Sequence, residues 1–263
     1  MPAKNIISEM YDELRKIIEE ADREHPIVFF GGAGVSTESG IPDFRSENGL
    51  YNAKSEYGFA PEDMISHDFF ENEPFIFFDY YKKNLIAKDA KPNKAHYALA
   101  KLEEQGKLSA VITQNIDNLH QMAGSKKVYE LHGSVHRNNC VWCRKFYGLD
   151  YILDENNCEQ NKKNPKMLGV PKCSCGGVIK PDVVLYGEML DENCIAGAVA
   201  AIQSADTLII GGTSLAVYPA AGFVNYFRGR HLVVINKAAT GMDGSAEIVI
   251  HDPIGEVLGS ICK

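Results

Sequence analysis

Apolar runs and amphipathic stretches alternate along this chain. Met10, Leu14, Ile17, Ile18 and Ala21 recur at helical spacing among Glu, Asp, Arg and Lys, predicting an amphipathic helix over about 4–23. The continuous run Ile27-Val28-Phe29-Phe30 follows, as suits a strand buried on both faces. Similar runs stand at Ala110–Ile112, Val128–Leu131, Thr207–Ile210, Leu232–Ile235 and Ile248–Ile250. Helical patterns fill about 74–87, 93–105, 191–203, 217–228 and 253–261 between them. Strand alternating with helix implies right-handed crossovers and a mostly parallel sheet, an α/β fold.

Two segments break the rhythm. Residues 140–180 hold seven basic and four acidic side chains, a net +3, in a chain whose net charge is −8. With little periodicity, they read as a small inserted module without a large core of its own. Residues 46–75, rich in aromatics and Pro, read as a second excursion, leaving 1–45, 76–139 and 181–263 to build the sheet. A length of 263 residues accommodates one large domain with a small satellite. With 45% hydrophobic and 24% charged residues, global disorder is excluded. Net acidity argues against a nucleic-acid partner, whose affinity rests on Lys and Arg neutralising phosphates. It leaves room for a basic peptide. No secretory signal is visible. The uncharged stretch Thr207–Phe227 is interrupted by Gly211, Gly212, Thr213, Ser214 and Pro219, unlike a membrane span. A cytoplasmic location is expected.

The seven cysteines, odd in number in a long chain, do not suggest a disulfide framework. Cys140-x-x-Cys143 and Cys173-x-Cys175 instead suit one tetrahedral Zn²⁺ with four thiolate ligands. Four protein ligands leave no open position, so such a metal is structural. The second pair is tighter than the commoner C-x-x-C, and Cys158 between the pairs stands as a substitute ligand. Cys194 and Cys262 read as packing cysteines.

The ends of the expected strands carry the remaining chemistry. Gly31-Gly32-Ala33-Gly34-Val35-Ser36-Thr37 either offers backbone N–H groups to a phosphate or forms a tight turn. It matches neither the dehydrogenase fingerprint nor a Walker loop. In Thr113-Gln114-Asn115-Ile116-Asp117, the polar side chains can fix ribose hydroxyls and a carboxamide, or cap the next helix. His132, followed by Gly133 and Ser134, is placed at a strand end and titrates near neutrality, so it is the choice for a general base. His96 reads as a core histidine, and His120 and His136 lack the strand-end placement. Gly211-Gly212-Thr213-Ser214 and Asn236-Lys237 follow two further strands. Five such ends agree on one ligand-lined edge of a parallel sheet.

In this order the motifs resemble the sirtuins, NAD-dependent protein-lysine deacylases. The likeness runs from Gly32-Ala33-Gly34-Val35-Ser36 through Gly40-Ile41-Pro42-Asp43-Phe44-Arg45, Thr113–Asp117, His132-Gly133-Ser134 and both cysteine pairs. It continues with Pro181–Glu188 and Gly212-Thr213-Ser214-Leu215, covering about residues 25–255. The resemblance, closest in the Gly40–Arg45 run to bacterial members that favour acetyl-lysine, implies a Rossmann-like NAD-binding domain with helices on both faces, a zinc-binding module and a cleft between them.

The resemblance further implies that Gly32, Ala33, Gly34, Thr37, Asp43, Phe44 and Arg45 line the nicotinamide and phosphate region. Gln114 would meet ribose, and Asn115, Ile116 and Asp117 the nicotinamide, with Asn115 and Asp117 joining His132 in catalysis. Gly212, Thr213, Ser214, Asn236 and Lys237 would hold phosphates and the adenosine half, with a backbone contact to adenine near Ile254. An acetylated peptide would add a strand between Gly187-Glu188 and Val217-Tyr218, its acyl-lysine near Val183, Val184 and Tyr186. The implied reaction moves the acetyl group to ADP-ribose, releasing nicotinamide and O-acetyl-ADP-ribose, with His132 taking a proton from a ribose hydroxyl. Protein ADP-ribosylation in the same cleft and non-enzymatic NAD sensing are the competing readings. A monomer is expected, with no membrane partner.

Overall fold

The computed structural model describes residues 2–42 and 56–262. Its strands are β1 (Ile27–Gly31), β2 (Leu108–Thr113), β3 (Val128–Glu130), β4 (Gly133–Cys140), β5 (Phe146–Tyr147), β6 (Cys158–Glu159), β7 (Val170–Pro171), β8 (Ile179–Val183), β9 (Thr207–Gly211), β10 (His231–Ile235) and β11 (Ile248–Ile250). Six form a wholly parallel sheet in the order β11-β10-β9-β1-β2-β3. Strand order reverses between β1 and β9. In open α/β sheets that reversal opens a crevice at the carboxyl ends of the two strands, where ligands bind.

The apolar runs explain the sheet. Every residue of β1 and of β9 is buried, because both faces are covered. Ile27, Phe29, Val111, Ile209 and Val233 point to one face, under the helices Pro2–Glu20, Lys94–Glu104 and Ile254–Ile261. Val28, Phe30, Ile112, Leu208 and Ile210 point to the other, under the helix Glu192–Ser204 and the 3₁₀ stretch Ala220–Tyr226. That stretch corrects the α-helix expected over 217–228. Pro219 at its start and Gly222 within it weaken an α-helix, and bonds such as Gly222 N–H to Pro219 O (3.0 Å) close tighter turns. Val217 and Tyr218 therefore lie in the bend and turn that lead into it, where Val217 O accepts Ala221 N–H at 2.9 Å.

β4 leaves the parallel sheet and pairs antiparallel with β8 and β5, while β6 pairs with β7. The Cys-bearing strands share one aromatic core with the helix Pro74–Asn84, in which Phe77, Phe78 and Tyr81 are fully buried and Phe70 nearly so. No helix among the described residues is long and apolar enough to cross a membrane.

Candidate active site

A cleft of about 460 Å³ opens at the carboxyl ends of β1, β2 and β9. Its floor is glycine backbone. Gly34 N–H donates to Gly212 O at 2.8 Å, and a Cβ on Gly34 would lie 2.8 Å from Gly212. Gly212 itself takes φ +59, where a side chain would also strike Val35 N at 2.4 Å. The two loops thus approach as closely as backbone allows. Ala33, Gly34, Gly212, Thr213 and Ser214 line the cleft beside them. Gln114 Nε2 bridges to Thr213 Oγ1 at 3.2 Å.

His132, two residues beyond β3, lines the same cleft. Its Nδ1 lies 2.9 Å from Gln114 O, and a carbonyl only accepts, so Nδ1 carries the proton and Nε2 keeps the free lone pair. Burial pushes the His132 pKa below its ordinary value, against the opposing effect of that hydrogen bond. The ring is therefore neutral at neutral pH, as a general base requires. Gly133, at φ +74, makes the turn into β4, and a Cβ there would overlap Asp182 O.

Asn115, Ile116 and Asp117 form the adjoining wall. Asp117 serves two ends. One carboxylate oxygen accepts Leu119 N–H (2.9 Å) at the start of the helix Leu119–Ala123, and the other accepts Ser36 Oγ–H (2.6 Å). Asn115 Nδ2 donates to the same Ser36 Oγ at 3.0 Å. The bond to Leu119 N–H thus fixes the Asp117 carboxylate at the cleft wall.

On the opposite side stand Val183, Val184, Tyr186, Gly187, Glu188, Val217 and Tyr218. The Glu188 carboxylate is engaged by His67 Nδ1 (2.8 Å), Lys180 Nζ (2.9 Å) and Leu185 N–H (2.9 Å). It shapes the lip of the cleft rather than presenting a free charge. Gly32, Thr37, Asn236, Lys237 and Ile254 do not line the cleft. Gly32 packs under Thr213, and Thr37 Oγ1 donates to Gly34 O (3.0 Å). Asn236 Nδ2 donates to Ala238 O (2.6 Å), and Lys237 is exposed. The Ile254 side chain is core, set against Gly211. Asp43, Phe44 and Arg45 lie outside the described residues.

A model of the Sir2 family matches residues 32–219. An NAD-dependent protein deacetylase of Clostridium perfringens is 59% identical over 96% of this chain and 99% of its own length. That of Clostridium acetobutylicum is 55% identical over 97% and 99%. The chain belongs to the Sir2 family. A solved Sir2 complex with a p53 peptide and NAD⁺ superposes with a TM-score of 0.79 at 36% identity, covering 95% of each chain.

Sir2 proteins use NAD, and the cleft suits such a ligand: a glycine floor free of side chains, a ring of amide and hydroxyl groups, and one neutral imidazole. The second cluster suits zinc. The Sγ atoms of Cys140, Cys143, Cys173 and Cys175 all lie within 4.8 Å of one another, with Cys140–Cys175 at 3.4 Å and Cys143–Cys173 at 3.5 Å. A tetrahedral Zn²⁺ with bonds of ~2.3 Å sets sulfurs about 3.8 Å apart. The tighter Cys173-x-Cys175 pair therefore reaches the site without help. Cys158 stays out of the cluster, its Sγ 3.3 Å from the buried Lys82 Nζ.

Sequence reasoning missed Ser36 as the residue joining Asn115 to Asp117, although it stood inside a quoted motif. It also missed Ile65, Tyr80, Asn84 and Leu85, which line the far end of the cleft. Nothing in a helical apolar pattern separates such residues from core.

Proposed function

We propose that this Sir2-family enzyme deacetylates protein lysines with His132 as general base, and that Asn115 and Asp117 hold the nicotinamide end of NAD. NAD, when bound, supplies a ribose whose anomeric carbon parts from nicotinamide and receives the acetyl oxygen. His132 Nε2 then accepts a proton from a ribose hydroxyl, a step that general-base catalysis accelerates by about 10²–10⁴-fold. Ser36 keeps Asn115 and Asp117 in one orientation. Val183 and Val184 cover the acyl-lysine from water. Gly32, Thr37, Asp43, Phe44 and Arg45 complete the pyrophosphate and nicotinamide region, and Asn236, Lys237 and the backbone at Ile254 receive the adenosine half. The acetylated peptide enters between Gly187 and Tyr218, both on the cleft wall. Zinc, held by Cys140, Cys143, Cys173 and Cys175, is structural. The protein acts as a cytoplasmic monomer with no membrane or nucleic-acid partner, and its net charge of −8 supports the last point.

The observation that carries this reading is the His132 ring, fixed through Nδ1 with Nε2 left free in the cleft. The test is mass spectrometry of an acetyl-lysine peptide with and without NAD. NAD-dependent loss of one acetyl group, about 42 Da, with formation of O-acetyl-ADP-ribose is expected. His132→Ala should keep NAD binding and lose about 10²–10⁴-fold in turnover. A His132→Ala enzyme with near wild-type turnover would overturn the assignment. ADP-ribose appearing on the protein target without deacetylation would favour transferase activity instead.

A further inference from the structure

The turn between Cys140 and Phe146 carries the chain's sole tryptophan, and that side chain is mostly in water. Trp142 is 70% exposed and Phe146, four residues on, is 59% exposed. Neither lines the cleft. Trp142 is nonetheless held in place. Its indole lies on the backbone of Gly176 and Gly177, where a Cβ on Gly177 would come within 3.1 Å of the ring. The flanking Cys140 and Cys143 belong to the four-thiol cluster, so the turn is tethered on both sides of the indole. Between the two aromatics stand Arg144 and Lys145, both exposed, and no carboxylate pairs with either among the described residues. Arg144 also adopts φ +62, a conformation that costs a side chain energy and that Gly would reach freely. That backbone closes the turn, Arg144 N–H donating to Cys140 O (3.1 Å) and Cys140 N–H to Lys145 O (3.0 Å), and so sets two exposed cations beside a rigid exposed indole.

We infer that this turn is a docking surface for an acidic polypeptide segment carrying apolar side chains. Trp and Arg are the side chains most enriched where protein partners bind tightly, and a pre-fixed indole loses little freedom on binding. Charge complementarity selects the partner. The 140–180 segment is +3 while the whole chain is −8, so an acidic segment is attracted to this turn and repelled from the rest of the molecule. Two cations at the turn are too few to hold a phosphate backbone against that net charge.

Trp142 supplies its own readout, because its emission is the only tryptophan signal in the chain. The probe is a peptide of alternating Glu and Leu, added to the zinc-loaded full-length protein. Saturable blue-shifted emission, protection of Trp142 from acrylamide and weakening with salt are expected. The double variant Arg144→Glu/Lys145→Glu, followed by the same emission, should bind about tenfold or more weakly. Trp142→Ala, followed by anisotropy of the labelled peptide, should do the same. Both variants should keep wild-type deacetylation and zinc content. Because the double variant changes only exposed side chains, it stays informative if Trp142→Ala fails to fold. No spectral change at millimolar peptide overturns the proposal. So does equal binding by the double variant, a response to oligo-dT but not to the peptide, or a signal that follows protein concentration alone and so reports a second copy of the chain.

Discussion

Behind the cleft wall formed by Asn115, Ile116 and Asp117, two buried histidine rings pack together, and they should set the acid limit of the fold. The His96 and His120 ring centroids are 4.7 Å apart, and both side chains are essentially inaccessible. His96 Nδ1 accepts Asn93 N–H, but His96 Nε2 and both nitrogens of His120 have no partner among the described residues. Burial drives the His120 pKa from 6.5 down to about 3, with His96 beside it adding to the fall. Burial drives His96 down to about 4, against a modest opposing pull from Asp117. The unfolded chain therefore takes up protons at these positions before the folded one does. Stability is full above the unfolded value near 6.5 and is lost as pH falls from there toward 3–4. From about pH 8 to about pH 5 the linkage, RT ln(1 + 10^1.5), comes to about 2 kcal/mol for His120 alone. His120→Phe keeps the ring beside Phe29 and removes the two unpartnered nitrogens, so its stability at neutral pH should stay near wild type. Unfolding free energies from urea titrations across that range, with zinc present, should fall less for the variant by about 2 kcal/mol. The depressed carboxylates, the raised His67 and zinc release act equally on both proteins and cancel in the difference. Parallel pH curves for the two proteins would refute the reasoning.

Gly212→Ala should abolish measurable NAD binding by calorimetry while the protein still folds, because the new methyl meets Val35 N at 2.4 Å on the cleft floor. Cys158→Ser should retain about one zinc per chain in elemental analysis, whereas Cys173→Ser should lose it together with cooperative unfolding. Ser36→Ala removes the hydroxyl shared by Asn115 and Asp117, and steady-state kinetics should show kcat/KM for NAD reduced about tenfold or more, the loss of one to two hydrogen bonds at the site.

The parallel strands were legible because burial on both faces leaves no polar interruption. Ile27–Gly31 and Thr207–Gly211 are buried throughout, and their order in the chain with the right-handed crossover rule nearly dictates the sheet. The convergence of those strand ends was legible for the same reason: topology brings every carboxyl end to one edge, so Gln114, His132 and Thr213 line one cleft. β4 and β8 were hidden because their pairing is irregular and partly polar. Register shifts between Ser134 and Asn138, and Asn138 is wholly buried, spending its amide on Val135 O and Tyr147 O rather than marking a solvent face. No period-2 pattern survives that. Contacts across long sequence distance were hidden for a different reason. Glu188 looks like a free carboxylate beside a cleft until His67, 121 residues away, is folded against it. Lys82 and Cys158 look like a surface cation and a spare metal ligand until Glu155 and Gly169 O close around the ammonium. A side chain's type tells which partners it needs, and only the fold tells which are already met. The residues left exposed after that accounting, Trp142 and Arg144 among them, are where unassigned function is best sought.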